Sequence, residues 1–367
     1  MDDSYKKVLS DFEKGNQLWI WGLGTSGQLG NNTVISQSSP VQIPGTQWIR
    51  PAGTGSQTFA LKTDNTLWSW GAGSGGVLGL NDAVSRSSPV QIPGTQWTEV
   101  VTATAHAFAI KCDNTLWAWG SNSTYGVLGL NDNIPRSSPV QIPGTQWIQA
   151  SAGGVNLARK TDGTLWAWGA NGNGTLGLAG LFNHRSSPNQ IPGTQWIDID
   201  SAQNNGFGRK SDGTLWSWGC NSAGQLGIGT TALCNSPVQI PGTEWVDVSA
   251  GGQIVLARKR DGTLWTWGNN ANGRLGIGGT VSRCSPVQIP GTQWASIYNG
   301  NSTLAQKTDG TLWVWGINSA GQLGDETVVT ATSPIQVPGS QWINPVFSTG
   351  SGICGNAMSI KGAFANY

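Results

Sequence analysis

The chain has two histidines, His106 and His184, and neither has a partner histidine at metal-ligand spacing. Asp198 and Asp200 flank Ile199, so a strand would carry both carboxylates on one side. Solvent is their expected surrounding, rather than a paired acid and base. Five cysteines, Cys112, Cys220, Cys234, Cys284 and Cys354, show no C-x-x-C spacing and read chiefly as small buried thiols. Cys234 and Cys284 occupy nearly equivalent places in neighbouring repeats, and a disulfide between them is the alternative. There is no G-x-S-x-G elbow, no P-loop with its lysine and no calcium-loop pattern. Glycine pairs such as Gly172-x-Gly174 open no helix, so they cradle no phosphate. These residues predict no enzyme, no cofactor and no metal site.

The elements around these residues are repeats. Leu-Trp-x-Trp-Gly starts its tryptophan pair at Trp19, Trp68, Trp117, Trp166, Trp216, Trp265 and Trp313. A second motif, Ser-Pro-x-Gln-x-Pro-Gly-x-x-Trp, ends at Trp48, Trp97, Trp147, Trp196, Trp245, Trp294 and Trp342. Two tryptophans in each first motif and one in each second account for all 21. Repeats of this period define the fold before any single residue does. Within one copy, Asp162-Gly163 sits between Asn156–Lys160 and Leu165–Gly169, a two-residue hairpin signal. Ile197-Asp198-Ile199 alternates as a strand, and Pro188 and Pro192 mark an edge piece. Four short strands in about 49 residues make a propeller blade.

The expected fold is therefore all-β: a seven-bladed β-propeller of four-stranded antiparallel blades, with a short N-terminal helix. Residues 1–14 form the helical segment, 15–350 the propeller and 351–367 the strands that close the ring. Tyr5, Val8, Leu9 and Phe12 fall at helical spacing and give that segment one apolar face for docking within an assembly.

The D-G-T-L-W-x-W-G hairpin followed by N-x-x-G-Q-L-G, as in Asp212–Gly219 with Asn221–Gly227, resembles the regulator of chromosome condensation family. The resemblance runs from about Leu18 to Trp342 and looks closest to bacterial or phage members. It implies a propeller, and a function that is open, since that family holds an exchange factor, ubiquitin-ligase and membrane-protein modules, and an inhibitor. Repeats of uniform length leave no wedge insertion like that of the exchange factor, and there is no basic N-terminal tail.

Function is sought where the copies differ. One register holds Gln57, His106, Asn156, Asn205, Ile254, Thr303 and Ser351, which the resemblance places near the axis. Gln57, His106, Asn156, Asn205 and Thr303 are expected to line a channel. A second register holds Arg86, Arg136, Arg185 and Arg283. Each arginine either binds its own loop or contributes to a surface for an acidic protein or sugar. Phe182 and His184, in a loop one residue longer, complete the candidate contacts.

A net charge of +1 with 11% charged residues argues against nucleic acid, and no apolar run is long enough for a membrane. The start of the chain lacks signal-peptide order. The expected function is a non-catalytic binding or structural propeller, within a virus particle or on an extracellular surface. Its partners would be other protein chains or surface carbohydrate. A soluble, cytoplasmic or secreted bacterial interaction protein is the alternative, and an exchange-factor-like regulator stands behind it.

Overall fold

The computed structural model describes residues 17–337, apart from 23, 55, 123–124, 181, 203, 300–301, 319–322, 324 and 326, together with 346–347 and 357–361. Four consecutive antiparallel strands make each blade. In one blade these are Trp97–Thr102, His106–Lys111, Leu116–Gly120 and Arg136–Gln141, in order from the axis outward. The innermost strands, which begin at Trp48, Trp97, Trp147, Trp196, Trp245 and Trp294, surround a central cavity.

The sequence reading expects seven blades, the seventh a composite closed by both ends of the chain, and an N-terminal helix. The described structure corrects this to six, each built from one continuous repeat. The remaining four-stranded sheet is a composite. Its order is Gln37–Gln42, Gln17–Gly22, Ala357–Lys361 and Val346–Phe347. The physical reason lies in the phase of the repeat. The first tryptophan pair comes before any Pro-Gly-x-x-Trp segment, so the first repeat supplies only two strands. The far end of the chain provides the other two, with Gln17–Trp21 pairing against Lys361–Ala357. No α-helix occurs among the described residues. The expected helix with Tyr5, Val8, Leu9 and Phe12 lies outside them, as do Ser351 and Cys354.

The hairpin also differs from its sequence reading. Gly163 donates to the Lys160 carbonyl, Lys160 donates to that of Thr164, and positive φ occurs at Gly163 alone. The loop is thus three residues long with its last residue left-handed. This frees the aspartate side chain for a second task. Asp162 accepts from the Thr164 backbone and hydroxyl, and that hydroxyl accepts from Trp166 Nε1 at 2.9 Å.

The tryptophans divide into three roles. The Trp97 ring of the innermost strand is buried edge-on between Trp117 and Trp119. Trp117 is half-buried, with Lys111 Nζ lying 4.4 Å from its ring and 4.6 Å from that of Trp97. Trp119 is fully buried and crosses to the preceding blade, donating to the Val77 carbonyl at 2.9 Å. Gly79 presents its bare Cα to that ring, because a Cβ there would lie 2.9 Å from Trp119 Nε1. Six of the seven core clusters span two neighbours: Phe59, Leu61, Leu67 and Ile92 of one blade pack on Trp97, Val100 and Trp119 of the next. Burying ~200 Å² per ring at ~25 cal/mol per Å² is worth about 5 kcal/mol per tryptophan before entropy is counted. Stacking blades is therefore what makes each one stable.

Candidate functional site

The two faces of the propeller are built from different chemistry. On one, the third and outermost strands of each blade are joined by a loop of about 14 residues, such as 121–135. A buried asparagine organises it. Asn122 Oδ1 accepts from Leu128 N at 2.9 Å while its amide donates to the carbonyls of Asp132 and Ile134. Asn221 and Asn270 do the same for their loops, reaching the carbonyls of Ala232 and Val281. Six of these loops are also tied to the next blade, as in Asn81 N to Ser137 O and Gly229 N to Cys284 O. The loops are thus fixed at both ends and in the middle.

Their tips carry apolar side chains into solvent. Of the eleven exposed large apolar residues among those described, ten lie on these loops, the exception being Ile197. The tips include Ile35, Val84, Ile134, Phe182, Leu233, Val281 and Val329, one from each loop. The sequence reading missed this ring. Its signal was present, an apolar residue one to three positions before the arginine register in every copy.

The arginine register opens the outermost strands on this same face. Arg86 and Arg136 each hold an aspartate four residues earlier, Asp82 and Asp132, at 2.6 Å. Among the described residues, the hydrogen bonds of Arg185 and Arg283 go to the carbonyls of His184 and Ser282, at 3.3 and 3.4 Å. Phe182 is 49% exposed. His184 takes the place of a serine: its Nδ1 accepts from Asn171 N at 3.0 Å, as Ser282 Oγ accepts from Asn270 N at 3.1 Å. The Tyr125 ring of the preceding blade lies tilted at 46° against His184, with centroids 4.3 Å apart.

The central cavity, about 810 Å³, is the second place where function could reside. Of the expected channel residues, His106 lines it. Gln57, Asn156, Asn205 and Thr303 are also buried, at the start of second strands, and do not border it. Asn156 Nδ2 donates to Val127 O, which leaves Asn156 Oδ1 to accept from His106 Nε2 at 2.8 Å. Burial pushes the imidazole pKa down, so His106 is neutral, with its proton on Nε2.

Asp198 and Asp200 keep partial contact with solvent, as the strand alternation suggests, but each is also engaged by neighbouring groups. Asp200 borders the cavity, and its carboxylate accepts from Ala250 N at 2.6 Å and Ser201 N at 2.8 Å. Burial nevertheless raises it to about 7, the two backbone N–H groups acting the other way. Asp198 lies 3.6 Å from Arg209 and accepts from Gln149 Nε2. Around the same ring, burial lifts Glu99 to about 7 against the pull of Arg50 and Arg159. It lifts Asp247 to about 6 against Arg258. Glu99, Asp247 and the Asp198–Asp200 pair thus sit on the innermost strands of three blades. Among the described residues no three of His, Cys, Asp and Glu cluster as a metal would require. Cys112, Cys220, Cys234 and Cys284 are free thiols, so the alternative of a Cys234–Cys284 disulfide is corrected.

The opposite face is closed. Lys62, Lys111, Lys160, Lys210, Lys259 and Lys307 each lie within 5 Å of two tryptophan rings. The hairpin aspartates beside them are occupied by threonine hydroxyls.

The fold is similar to known propellers. Prp20p from Saccharomyces cerevisiae, described with its binding to Gsp1p and histones, aligns with a TM-score of 0.82 at 20% identity, covering 95% of this chain and 92% of its own. The same yeast protein bound to Kap60 gives 0.81 at 20% identity, covering 95% and 89%. Human WBSCR16 gives 0.82 at 22% identity, covering 96% and 100%. No curated protein matches at the level of sequence. The sequence profile of the RCC1-like domain matches residues 13–358, nearly the whole chain. The chain belongs to the RCC1-like domain family.

Proposed function

We propose that this propeller is a non-catalytic protein-recognition module whose loop face is the docking surface. The observation that carries the reading is the asymmetry of exposed apolar groups, ten of eleven lying on the loops of one face. Water-exposed apolar side chains held rigidly in a ring favour a protein partner, because their burial releases water without much loss of loop entropy. The part-buried carboxylates of the innermost strands, spread over three blades, lack the paired geometry of acid–base catalysis. The test is photo-crosslinking in the native cell, with a photoreactive residue at Val281 on the loop face or at Thr263 on the opposite face. Cross-links to a partner from Val281 and none from Thr263 support the reading. The reverse pattern refutes it.

A regulator of a small GTPase is the second reading. It is favoured by the likeness in fold to Prp20p, which binds Gsp1p. A nucleotide-release assay on purified small GTPases tests it, and an unchanged release rate removes it. A virus-particle surface is a narrower setting for the first reading. Its support is the sequence reasoning alone, and the partner identified by cross-linking decides it.

A further inference from the structure

The loop face is not uniform around the ring. We infer that the sector formed by the loops 170–184, 220–233 and 269–282 binds a protein segment that carries carboxylates beside apolar side chains. This rests on the loop face being the docking surface and names the chemistry of its partner.

Three observations meet in this sector. First, the three loops contain no aspartate or glutamate. Second, the two cations that open the adjoining outer strands, Arg185 and Arg283, have no carboxylate partner among the described residues. The sequence explains the difference. Four residues before Arg86 and Arg136 stand Asp82 and Asp132, whereas Leu181 and Gly279 precede Arg185 and Arg283. Carboxylates thus neutralise the guanidinium groups in one half of the ring and leave them uncompensated in the other. Third, Phe182, Leu233 and Val281 stand beside them, 49%, 53% and 65% exposed. The loop after this sector holds Asp325, which Asn318 and Thr327 already engage.

A guanidinium with free donors next to an apolar tip matches a carboxylate flanked by a leucine or phenylalanine. The tips are preorganised. Asn221 and Asn270 hold the carbonyls of Ala232 and Val281, and Phe182 leans over Gly174, where an added Cβ would meet its ring at 3.5 Å. Binding would therefore order the partner and not the loops. A second copy of this chain is disfavoured as occupant, since one cationic sector would face another in a two-fold arrangement. Nucleic acid is disfavoured because two cations beside exposed apolar tips make a poor phosphate track.

The test uses a short labelled peptide in which glutamates alternate with leucine and phenylalanine, and a twin with lysine for every glutamate. The expected result is saturable binding of the glutamate peptide, with the lysine twin about tenfold weaker. Arg185→Glu with Arg283→Glu should weaken the glutamate peptide about tenfold and strengthen the lysine twin. Phe182→Ser with Leu233→Ser and Val281→Ser should weaken both peptides. Ile35→Ser with Val84→Ser and Ile134→Ser, on loops without an uncompensated arginine, should change neither. Unaltered thermal midpoints show that the variants are folded.

The inference is overturned by equal affinity for the two peptides, by no binding of the glutamate peptide, or by an arginine reversal without effect. It is also overturned by light scattering that shows a dimer lost in the Phe182, Leu233 and Val281 variant, which assigns the sector to a second copy. Cross-links from Val281 to a partner that survive the arginine reversal would sink this inference and leave the protein-binding reading standing. Absence of loop-face cross-links would sink both.

Discussion

Replacing Asp200 by asparagine isolates the energetic effect of a carboxylate enclosed at the axis. The group rises from 3.8 in a solvated chain to about 7 in the folded protein, chiefly through burial. A group raised on folding contributes its full stability below the unfolded value and loses it as pH climbs through the folded one. Between about pH 4 and pH 7 the unfolded chain ionises at this position while the folded chain still holds its proton. At about 1.4 kcal/mol for each tenfold change in proton affinity, the accumulated loss by pH 8 is ~4 kcal/mol. For a domain of this length that is roughly 5 °C in thermal midpoint. Asparagine preserves the shape and can still accept from one of the two N–H groups of Ala250 and Ser201. The Asp200→Asn variant should therefore match the parent near pH 4 and exceed it near pH 8, by a few degrees, in calorimetric scans. Glu99 and Asp247, also raised by burial, leave a residual slope of the same sign. Hairpin carboxylates such as Asp162 are lowered by their threonine bonds, so their effect appears only as pH falls below about 4. Parallel pH curves for parent and variant would refute the reasoning and mean that cavity water solvates Asp200 fully.

Other perturbations test the stacking of blades. Trp119→Phe loses ring area and the bond to Val77 O, while in Trp218→Phe the replaced Nε1 has no partner among the described residues to lose. Chemical denaturation should find Trp119→Phe the more costly of the two by about 1 kcal/mol. Gly79→Ala places a Cβ against the Trp119 ring at φ 71°, and should cost about 2–4 kcal/mol by the same assay. Lys111→Met removes contacts with two tryptophan rings and keeps the alkyl stem; a loss of about 1 kcal/mol is expected. Ending the chain before Ala357 removes the partner of Gln17–Trp21, and the midpoint in thermal scans should drop by more than about 5 °C.

Much of this architecture could be read from residue spacing. The period of the tryptophan motifs gave the blades, and the Asp-Gly dipeptides gave their hairpins. The phase of the repeat also pointed to closure by both chain ends. The same phase brings the number of continuous blades to six, because a first repeat beginning at its third strand needs the far end of the chain to complete its sheet. Period-two alternation placed Asp198 and Asp200 on a polar strand face. It carried no information on whether that face met bulk water or an enclosed axis, because both satisfy the same pattern. The arginine register was visible, but its division into neutralised and uncompensated members depends on Asp82 and Asp132 folding back across their loops. The ring of apolar tips escaped notice because one valine or isoleucine in a polar loop is ordinary. It acquires meaning only when the fold brings such loops to one face.

The most direct test of that face is hydrogen exchange on the protein bound to the partner captured by cross-linking. Slowed exchange at the tips of the loops 170–184, 220–233 and 269–282, with the hairpins at Asp162-Gly163, Asp212-Gly213 and Asp261-Gly262 unchanged, is the predicted footprint. Protection of those hairpins with the loop tips unchanged would contradict the account.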